Sequence, residues 1–158
     1  MKKKSDIELY QDFLDFIQLC NQHEVKYLVI GGYAVSIHGY PRSTKDLDIC
    51  IQFSEENAEK MVKVIKDFGF GSLHLTKEDF LKEHYITQLG YEPFRIDILN
   101  DLDGVPFDEA WKNKRIVTIG NTETNFIGYH ELLKVKQKAG RKQDLADIEK
   151  LKNRNKGK

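Results

Sequence analysis

Short runs of alternating or wholly apolar residues recur along the chain and predict the strands of a β-sheet. These runs occur at 26–30, 46–52, 84–89, 94–99, 115–119 and 124–127. Elsewhere, apolar residues repeat at spacings of three and four, as on the buried face of an amphipathic helix. The helical segments are predicted at 6–23, 31–39, 54–68 and 107–111, and again from 128 toward the end of the chain. The sequence therefore predicts a domain of mixed α and β structure.

Two carboxylates occupy one face of the strand predicted at 46–52. Side chains alternate between the faces of a strand, so Asp46 and Asp48 point the same way, whereas Leu47 and Ile49 point into the core. Like charges on one face of a sheet repel each other unless a cation lies between them. Hard oxygen ligands suit Mg²⁺, and the pair therefore predicts a metal site.

A pair of glycines, Gly31 and Gly32, ends the strand predicted at 26–30 and precedes a short helix. Glycine lets the backbone turn sharply and lets a ligand approach the backbone N–H groups. The N-terminus of the following helix favours a phosphate group. A phosphate cradle thus lies close in sequence to a metal-binding pair, which is typical of chemistry on a nucleotide and a metal.

The glycine pair, thirteen intervening residues and Asp46-Leu47-Asp48 resemble the signature of the DNA-polymerase-beta-type nucleotidyltransferases. The fuller motif is similar to that of small bacterial members related to the AbiEii-type abortive-infection toxins. It reads Gly31-Gly32-x-Ala34-Val35-x-x-His38-Gly39-x-x-Arg42-x-Thr44-x-Asp46-Leu47-Asp48. The resemblance extends from about residue 26 to about residue 151 and implies an α+β nucleotidyltransferase fold. Its mixed or antiparallel sheet would be flanked by helices and followed by a C-terminal helical segment.

The resemblance implies that a nucleoside monophosphate passes from a nucleoside triphosphate to a hydroxyl acceptor with Mg²⁺ or Mn²⁺ as cofactor. The family uses a third carboxylate on a later strand, and Asp97 in Arg95-Ile96-Asp97-Ile98 is the candidate. Asp46, Asp48 and Asp97 are therefore the predicted catalytic residues and metal ligands.

Five further residues are predicted to bind the nucleotide, and they are Gly31, Gly32, Arg42, Thr44 and Lys136. Lys136 lies on the apolar stripe of its helix, and burying a lysine requires an anion, either the triphosphate or a carboxylate of the site. The segment 140–148 resembles the closing segment of the family. Tyr33 stands where many members of the superfamily have serine, and Gln143 stands where lysine is usual.

The overall composition fits one domain over residues 1–158, because 40% hydrophobic content in 158 residues supports a sizeable core. The 25 basic and 25 acidic residues balance, so net charge gives no argument for a nucleic-acid partner. The basic ends, 1–4 and 153–158, are predicted to be flexible tails. Two cysteines without a metal-like spacing indicate reduced thiols in a cytoplasmic protein, and no apolar run is long enough for a membrane helix.

The sequence leaves the acceptor open among RNA, a protein and a small hydroxyl compound, and leaves open whether an antitoxin-like partner exists. A catalytically inactive binding module with the same fold is the alternative function. A third alternative is a plain α+β domain in which Asp46 and Asp48 lie on an exposed face. Asp101 and Asp103 are interpreted as turn residues, because Gly104 and Pro106 follow them.

Overall fold

A seven-stranded mixed sheet forms the centre of the protein, as seen in a computed structural model that describes residues 3–4, 10–41, 43–91 and 94–156. The strands are β1 (Lys3–Lys4), β2 (Tyr27–Ile30), β3 (Leu47–Ile51), β4 (Ile86–Tyr91), β5 (Phe94–Leu99), β6 (Arg115–Ile119) and β7 (Thr122–Phe126). They lie in the order β1-β6-β7-β2-β3-β5-β4. The pairs β2–β3, β4–β5 and β6–β7 are antiparallel, whereas β1–β6, β2–β7 and β3–β5 are parallel.

Six α-helices accompany this sheet in the described part of the chain. They are α1 (Gln11–Gln22), α2 (Gly31–Ile37), α3 (Glu55–Ile65), α4 (Phe107–Lys112), α5 (Tyr129–Ala139) and α6 (Lys142–Arg154). Their positions confirm the predicted α+β fold with a C-terminal helical segment. The start predicted for the first helix, before Tyr10, lies outside the described residues. None of the helices described is long and apolar enough to cross a membrane.

The core forms where the apolar face of the sheet meets the apolar stripes of the helices. Leu47, Ile49 and Ile51 of β3 are almost completely buried, as alternation along the strand predicted. Helix α1 contributes the residues at three- and four-residue spacing, including Phe13 and Phe16. The opposite face of β3 carries Asp48, so the burial pattern of one strand separates the core from the candidate site.

The terminal segments that the structure describes, 3–4 and 142–156, are joined to the domain. Strand β1 pairs with β6, and α6 continues to Arg154. Arg154 Nε donates to the carbonyl oxygen of Gly39 over 2.7 Å, and Asn155 Nδ2 donates to that of His38 over 3.0 Å. These residues therefore belong to the fold, although the sequence predicted tails at 1–4 and 153–158. Residues 1–2 and 157–158 lie outside the described part.

Candidate active site

Three aspartates from two neighbouring strands meet on the face of the sheet that lies opposite the core. Strands β3 and β5 are parallel, and their register makes Asp48 and Asp97 direct partners. The two carboxyl groups are close enough for Asp97 to act electrostatically on Asp48. Asp46 lies just before β3, two residues from Asp48, and also acts electrostatically on it. The sequence predicted this grouping, and the register of β3 and β5 is what brings Asp97 into it.

The crowding of these carboxylates changes the acidity of one of them. Burial, followed by the negative charges of Asp97 and Asp46, raises the pKa of Asp48 to about 7. The positive charge of Arg95 opposes this shift only in part. Near neutral pH, Asp48 is therefore divided between its protonated and its charged form. A cation close to the three carboxylates would favour the charged form.

Arg95 is the one cation that pairs directly with this cluster within the described residues, and its role was missed in the sequence. Its Nε donates to Asp97 Oδ1 over 2.7 Å and its Nη2 donates to Asp97 Oδ2 over 3.0 Å. The same Nη2 lies 3.5 Å from Asp46 Oδ2. A signal was present, because residues two apart on a strand share a face and Arg95 precedes Asp97 by two positions.

The two glycines allow α2 to begin directly against the carboxylates. Gly31 has a φ of +69°, in the left-handed region that favours glycine, and a Cβ atom there would overlap Asp48 Oδ2. A Cβ atom at Gly32 would lie 2.8 Å from Cβ of Thr44. Both positions therefore exclude side chains. The groups that approach the glycines are side chains of the protein itself, and the phosphate cradle stays a prediction.

Replacing Gly31 with alanine is expected to destabilise the protein by about 2–3 kcal/mol, because it adds a collision with Asp48 to left-handed backbone strain. Gly140→Ala is the matched control. Gly140 has a similar φ of +66°, but a Cβ atom there would lie no nearer than 3.6 Å to its neighbours. We expect the control to cost only the strain, about 1 kcal/mol. Urea unfolding of both variants measures the difference, and equal losses would contradict the proposed collision.

The loop before β3 is held against the site by two side chains. Thr44 Oγ1 donates to the backbone oxygen of Asp46 over 3.3 Å, and the Tyr33 hydroxyl donates to the backbone oxygen of Thr44 over 3.4 Å. Burial, with smaller contributions from Tyr10 and Asp46, raises the pKa of Tyr33 to about 12, so it remains a donor. Tyr33 thus braces this loop. Arg42, predicted to bind the nucleotide, lies outside the described residues.

Lys136 is buried between two aspartates at the junction of α5 and α6. Its Nζ lies 2.9 Å from Asp147 Oδ2 and 3.4 Å from Asp144 Oδ1, and the residue is only 6% exposed. The prediction that an inward lysine needs an anion is confirmed, and carboxylates supply it. Gln143, the departure from the family motif, donates to Asp147 Oδ1 over 2.8 Å and so belongs to the same network.

Asp144 also forms the N-terminal cap of α6. It accepts a hydrogen bond from the backbone N–H of Arg141 over 3.2 Å and another from Arg141 Nε over 2.7 Å. Burial alone would raise the pKa of Asp144, but these hydrogen bonds and the charge of Lys136 outweigh it and lower the pKa. Asp144 therefore stays charged and holds the start of α6 beside Lys136.

A cavity of about 360 Å³ connects the carboxylates with the helical segment. Its lining includes Asp48 and Asp97 from the sheet, together with Lys136 and Arg141 from the helical segment. Apolar side chains of β2, β4, β5, the following loop and α5 complete the lining, and they are Ile30, Ile86, Leu99, Leu102, Leu132, Val135 and Ala139. Asp101 and Asp103, interpreted from the sequence as turn residues only, also line this cavity. Lys136 and two of the three carboxylates, Asp48 and Asp97, thus line one cleft.

The residues of the cleft suit a divalent cation in chemistry, although not in their present arrangement. Asp46 Oδ1 is buried and has no hydrogen-bond partner among the described residues, so one oxygen is ready for a ligand. Carboxylate oxygens are the donors that Mg²⁺ prefers. However, no group of three His, Cys, Asp or Glu side chains in the described ranges is arranged to hold a metal ion. The guanidinium of Arg95 occupies carboxylate oxygens that such an ion would need.

Sequence comparison finds no matching protein family and no similar curated protein. Comparison of structures finds similar folds. A Thermotoga maritima protein described as a nucleotidyltransferase (TM1012) shares 16% identity with a TM-score of 0.60, over 94% of this chain and 97% of its own. The lincosamide antibiotic adenylyltransferase LnuA, solved with lincomycin bound, shares 17% identity with a TM-score of 0.56, over 91% of this chain and 96% of its own.

An antigenic nucleotidyltransferase-like protein from Paracoccidioides brasiliensis is also similar, with 16% identity and a TM-score of 0.53. The similarity covers 90% of this chain and 77% of that one. At such identities the structural similarity establishes the fold, and the activity has to be inferred from the residues of the site. The chain therefore has the fold of nucleotidyltransferases, as its sequence motif predicted.

Proposed function

We propose that this protein transfers a nucleoside monophosphate from a nucleoside triphosphate to a hydroxyl acceptor, in a reaction that requires Mg²⁺ or Mn²⁺. The pairing of Asp48 with Asp97 across β3 and β5 is the observation that carries this proposal. It places carboxylates from separate parts of the sequence beside Asp46 and against Gly31, within a fold that nucleotidyltransferases share. A domain with no use for this cluster would face only its electrostatic cost.

Asp46, Asp48 and Asp97 would hold the metal. A bound divalent cation would offset the charge of the triphosphate and make the acceptor hydroxyl more acidic. Asp97 would accept the proton of that hydroxyl as its oxygen bonds to the α-phosphorus and pyrophosphate leaves. Gly31 and Gly32 would receive the phosphates through their backbone N–H groups. Arg42, Thr44 and Lys136 would offset the negative charge of the triphosphate. Lys136 lines the same cleft, although its Nζ is paired with Asp147 and Asp144 and would have to share its charge with the nucleotide.

The motif supports a place among the small bacterial relatives of AbiEii-type toxins, and we extend the proposal to that group. Membership of this group is compatible with three classes of acceptor, namely RNA, a protein or a small hydroxyl compound. The hypothesis also includes control by an antitoxin-like partner. The similarity to LnuA, an adenylyltransferase for a lincosamide antibiotic, supports a small hydroxyl compound. The cleft of about 360 Å³ has the size of a small-molecule site.

A catalytically inactive binding module is the second candidate, and one observation favours it. Arg95 pairs with Asp97 and lies close to Asp46, so the protein's own positive charge offsets part of the repulsion within the cluster without a metal. A module of this kind would bind a partner or a nucleotide without metal-dependent transfer. The two functions differ in whether nucleotide binding depends on the metal.

Isothermal titration with each nucleoside triphosphate, with and without Mg²⁺, tests the proposal. We expect the wild-type protein to bind one triphosphate only when Mg²⁺ is present, with the affinity reduced at least about tenfold in Asp46→Asn. Asp46 suits the test because its Oδ1 has no hydrogen-bond partner in the described structure. Replacing the carboxyl group by an amide therefore breaks no hydrogen bond at that atom and should disturb the fold little. Asp108→Asn, which removes the same charge from an exposed position on α4, is the matched control.

Equal binding by the wild-type protein and Asp108→Asn, together with weak binding by Asp46→Asn, would support a metal-dependent nucleotide site. A nucleotide affinity that changes neither when Mg²⁺ is omitted nor in Asp46→Asn would favour the binding module. A protein that binds no triphosphate under any of these conditions would contradict the proposed transfer reaction.

A further inference from the structure

We propose that Arg95 is an internal counter-ion that keeps free metal out of the carboxylate cluster until a nucleoside triphosphate arrives. The proposal deepens the proposed function and rests on it for the nucleotide, whereas the role of Arg95 toward the carboxylates rests on the structure alone. Arg95 is then a positioning residue that makes the binding of metal depend on the binding of nucleotide.

The contacts of Arg95 cover the oxygen atoms that a cation would use. Both oxygens of Asp97 accept hydrogen bonds from the guanidinium, at 2.7 and 3.0 Å. Nη2 also lies 3.5 Å from Asp46 Oδ2, so one side chain joins two of the three aspartates. Arg95 thus supplies the positive charge that a bound cation would otherwise supply to these carboxylates, although its contacts differ from those of a metal ion.

The strength of this pairing follows from its geometry and its surroundings. A guanidinium that donates two parallel hydrogen bonds to one carboxylate forms one of the strongest ion pairs available to side chains. The Asp97 side chain is only 13% exposed and that of Arg95 only 25%, so water weakens the pair less than it would at the surface. A free metal ion at Asp97 would have to break both of these hydrogen bonds.

A nucleoside triphosphate removes that penalty because it brings a new anionic partner for the displaced guanidinium. Arginine binds phosphate oxygens with the same forked geometry that it uses for carboxylates. The metal and the nucleotide would therefore bind together more tightly than either binds alone, and this coupling is reciprocal. Arg95 would hold the carboxylates in place in the free protein and contact the triphosphate in the complex.

Titration with Mn²⁺ alone, followed by electron paramagnetic resonance, tests the counter-ion role without any nucleotide or turnover. We expect Arg95→Gln to bind Mn²⁺ at least about tenfold more tightly than the wild-type protein, because no charge-assisted hydrogen bonds remain to be broken. Arg141→Gln is the matched control. It removes the same charge from the same cleft, but its partner is Asp144, so we expect a change below about threefold.

Arg95→Lys guards against a failure of the glutamine variant to fold. Lysine keeps the charge but cannot form the fork, so we expect Mn²⁺ affinity between those of the wild-type protein and Arg95→Gln. Unchanged or weaker Mn²⁺ binding in both Arg95 variants, or equal tightening in Arg141→Gln, would overturn the proposal.

The same titrations with each nucleoside triphosphate separate this inference from the proposed function. Coupling predicts that triphosphate tightens Mn²⁺ binding strongly in the wild-type protein and much less in Arg95→Gln. Equal tightening in both proteins would overturn the coupling while leaving the proposed function intact. A triphosphate that affects neither protein would contradict the proposed function, and the titration with Mn²⁺ alone would still decide the counter-ion role.

Discussion

Replacing Lys136 with methionine is expected to lower the free energy of unfolding by about 3–5 kcal/mol, since it removes the ammonium group that pairs with a fully buried carboxylate, that of Asp147. Asp147 is fully buried and lies 2.9 Å from Lys136 Nζ, whereas Asp144 keeps a second ion pair with Arg141. The loss should therefore come mainly from Asp147. The experiment is equilibrium unfolding in urea.

Two further variants make this result specific to the pair. Lys138→Met makes the same chemical change at an exposed position of α5 and is expected to alter the stability by no more than about 0.5 kcal/mol. Adding Asp147→Asn to Lys136→Met removes the buried negative charge as well and should restore part of the loss. A loss at Lys136 no greater than that at Lys138, or a double variant less stable than the single one, would show that the pair does not stabilise the fold.

Replacing Asp48 with asparagine is expected to abolish Mg²⁺-dependent triphosphate binding and to stabilise the metal-free protein at alkaline pH. The folded protein raises the pKa of Asp48 to about 7 from an ordinary value of 3.8, so folding favours the protonated form. The wild-type protein therefore carries no penalty from this group below about pH 4, loses stability as pH rises, and carries the full penalty above about pH 7. We expect a penalty of about 2 kcal/mol, because part of the carboxyl group reaches solvent.

Thermal unfolding at pH 4 and pH 8 without metal measures this penalty, and calorimetric titration measures nucleotide binding. For a chain of this length, about 2 kcal/mol corresponds to roughly 4–8 °C in Tm at pH 8, and the difference should nearly vanish at pH 4. Asp108→Asn, at an exposed position, should follow the wild-type protein at both pH values. An Asp48→Asn protein that is less stable than the wild type at pH 8 would mean that Asp48 has a structural role instead.

Much of the sheet could be predicted from the sequence, because its central strands are apolar or alternate between apolar and polar residues. The runs at 26–30, 46–52 and 94–99 became β2, β3 and β5 within one residue at each end. Strand β1 had no such signal. It has two residues and exists only because β6 offers a parallel edge, which no local pattern can reveal.

The candidate site could be predicted in composition but not in its internal pairing. Alternation placed Asp46 with Asp48, and the family motif added Asp97. Arg95 was overlooked, since its importance depends on the register that brings β5 beside β3. For Lys136, the stripe on α5 predicted a buried cation but could not choose between a triphosphate and a carboxylate as its partner. In the structure the partner is the carboxylate of Asp147, which lies eleven residues further along the chain.

The spacing between Asp48 and Asp97 is a property of the backbone. Four consecutive residue pairs join β3 to β5, and the two aspartates are one of those pairs. In evolutionary terms, substitutions elsewhere in the domain can accumulate without altering this spacing, as long as both strands keep their register. A single inserted or deleted residue within β5 would instead turn Asp97 toward the core and bring Ile96 or Ile98 into the cleft. Insertions and deletions in β5 should therefore be tolerated less in evolution than substitutions of the side chains around it.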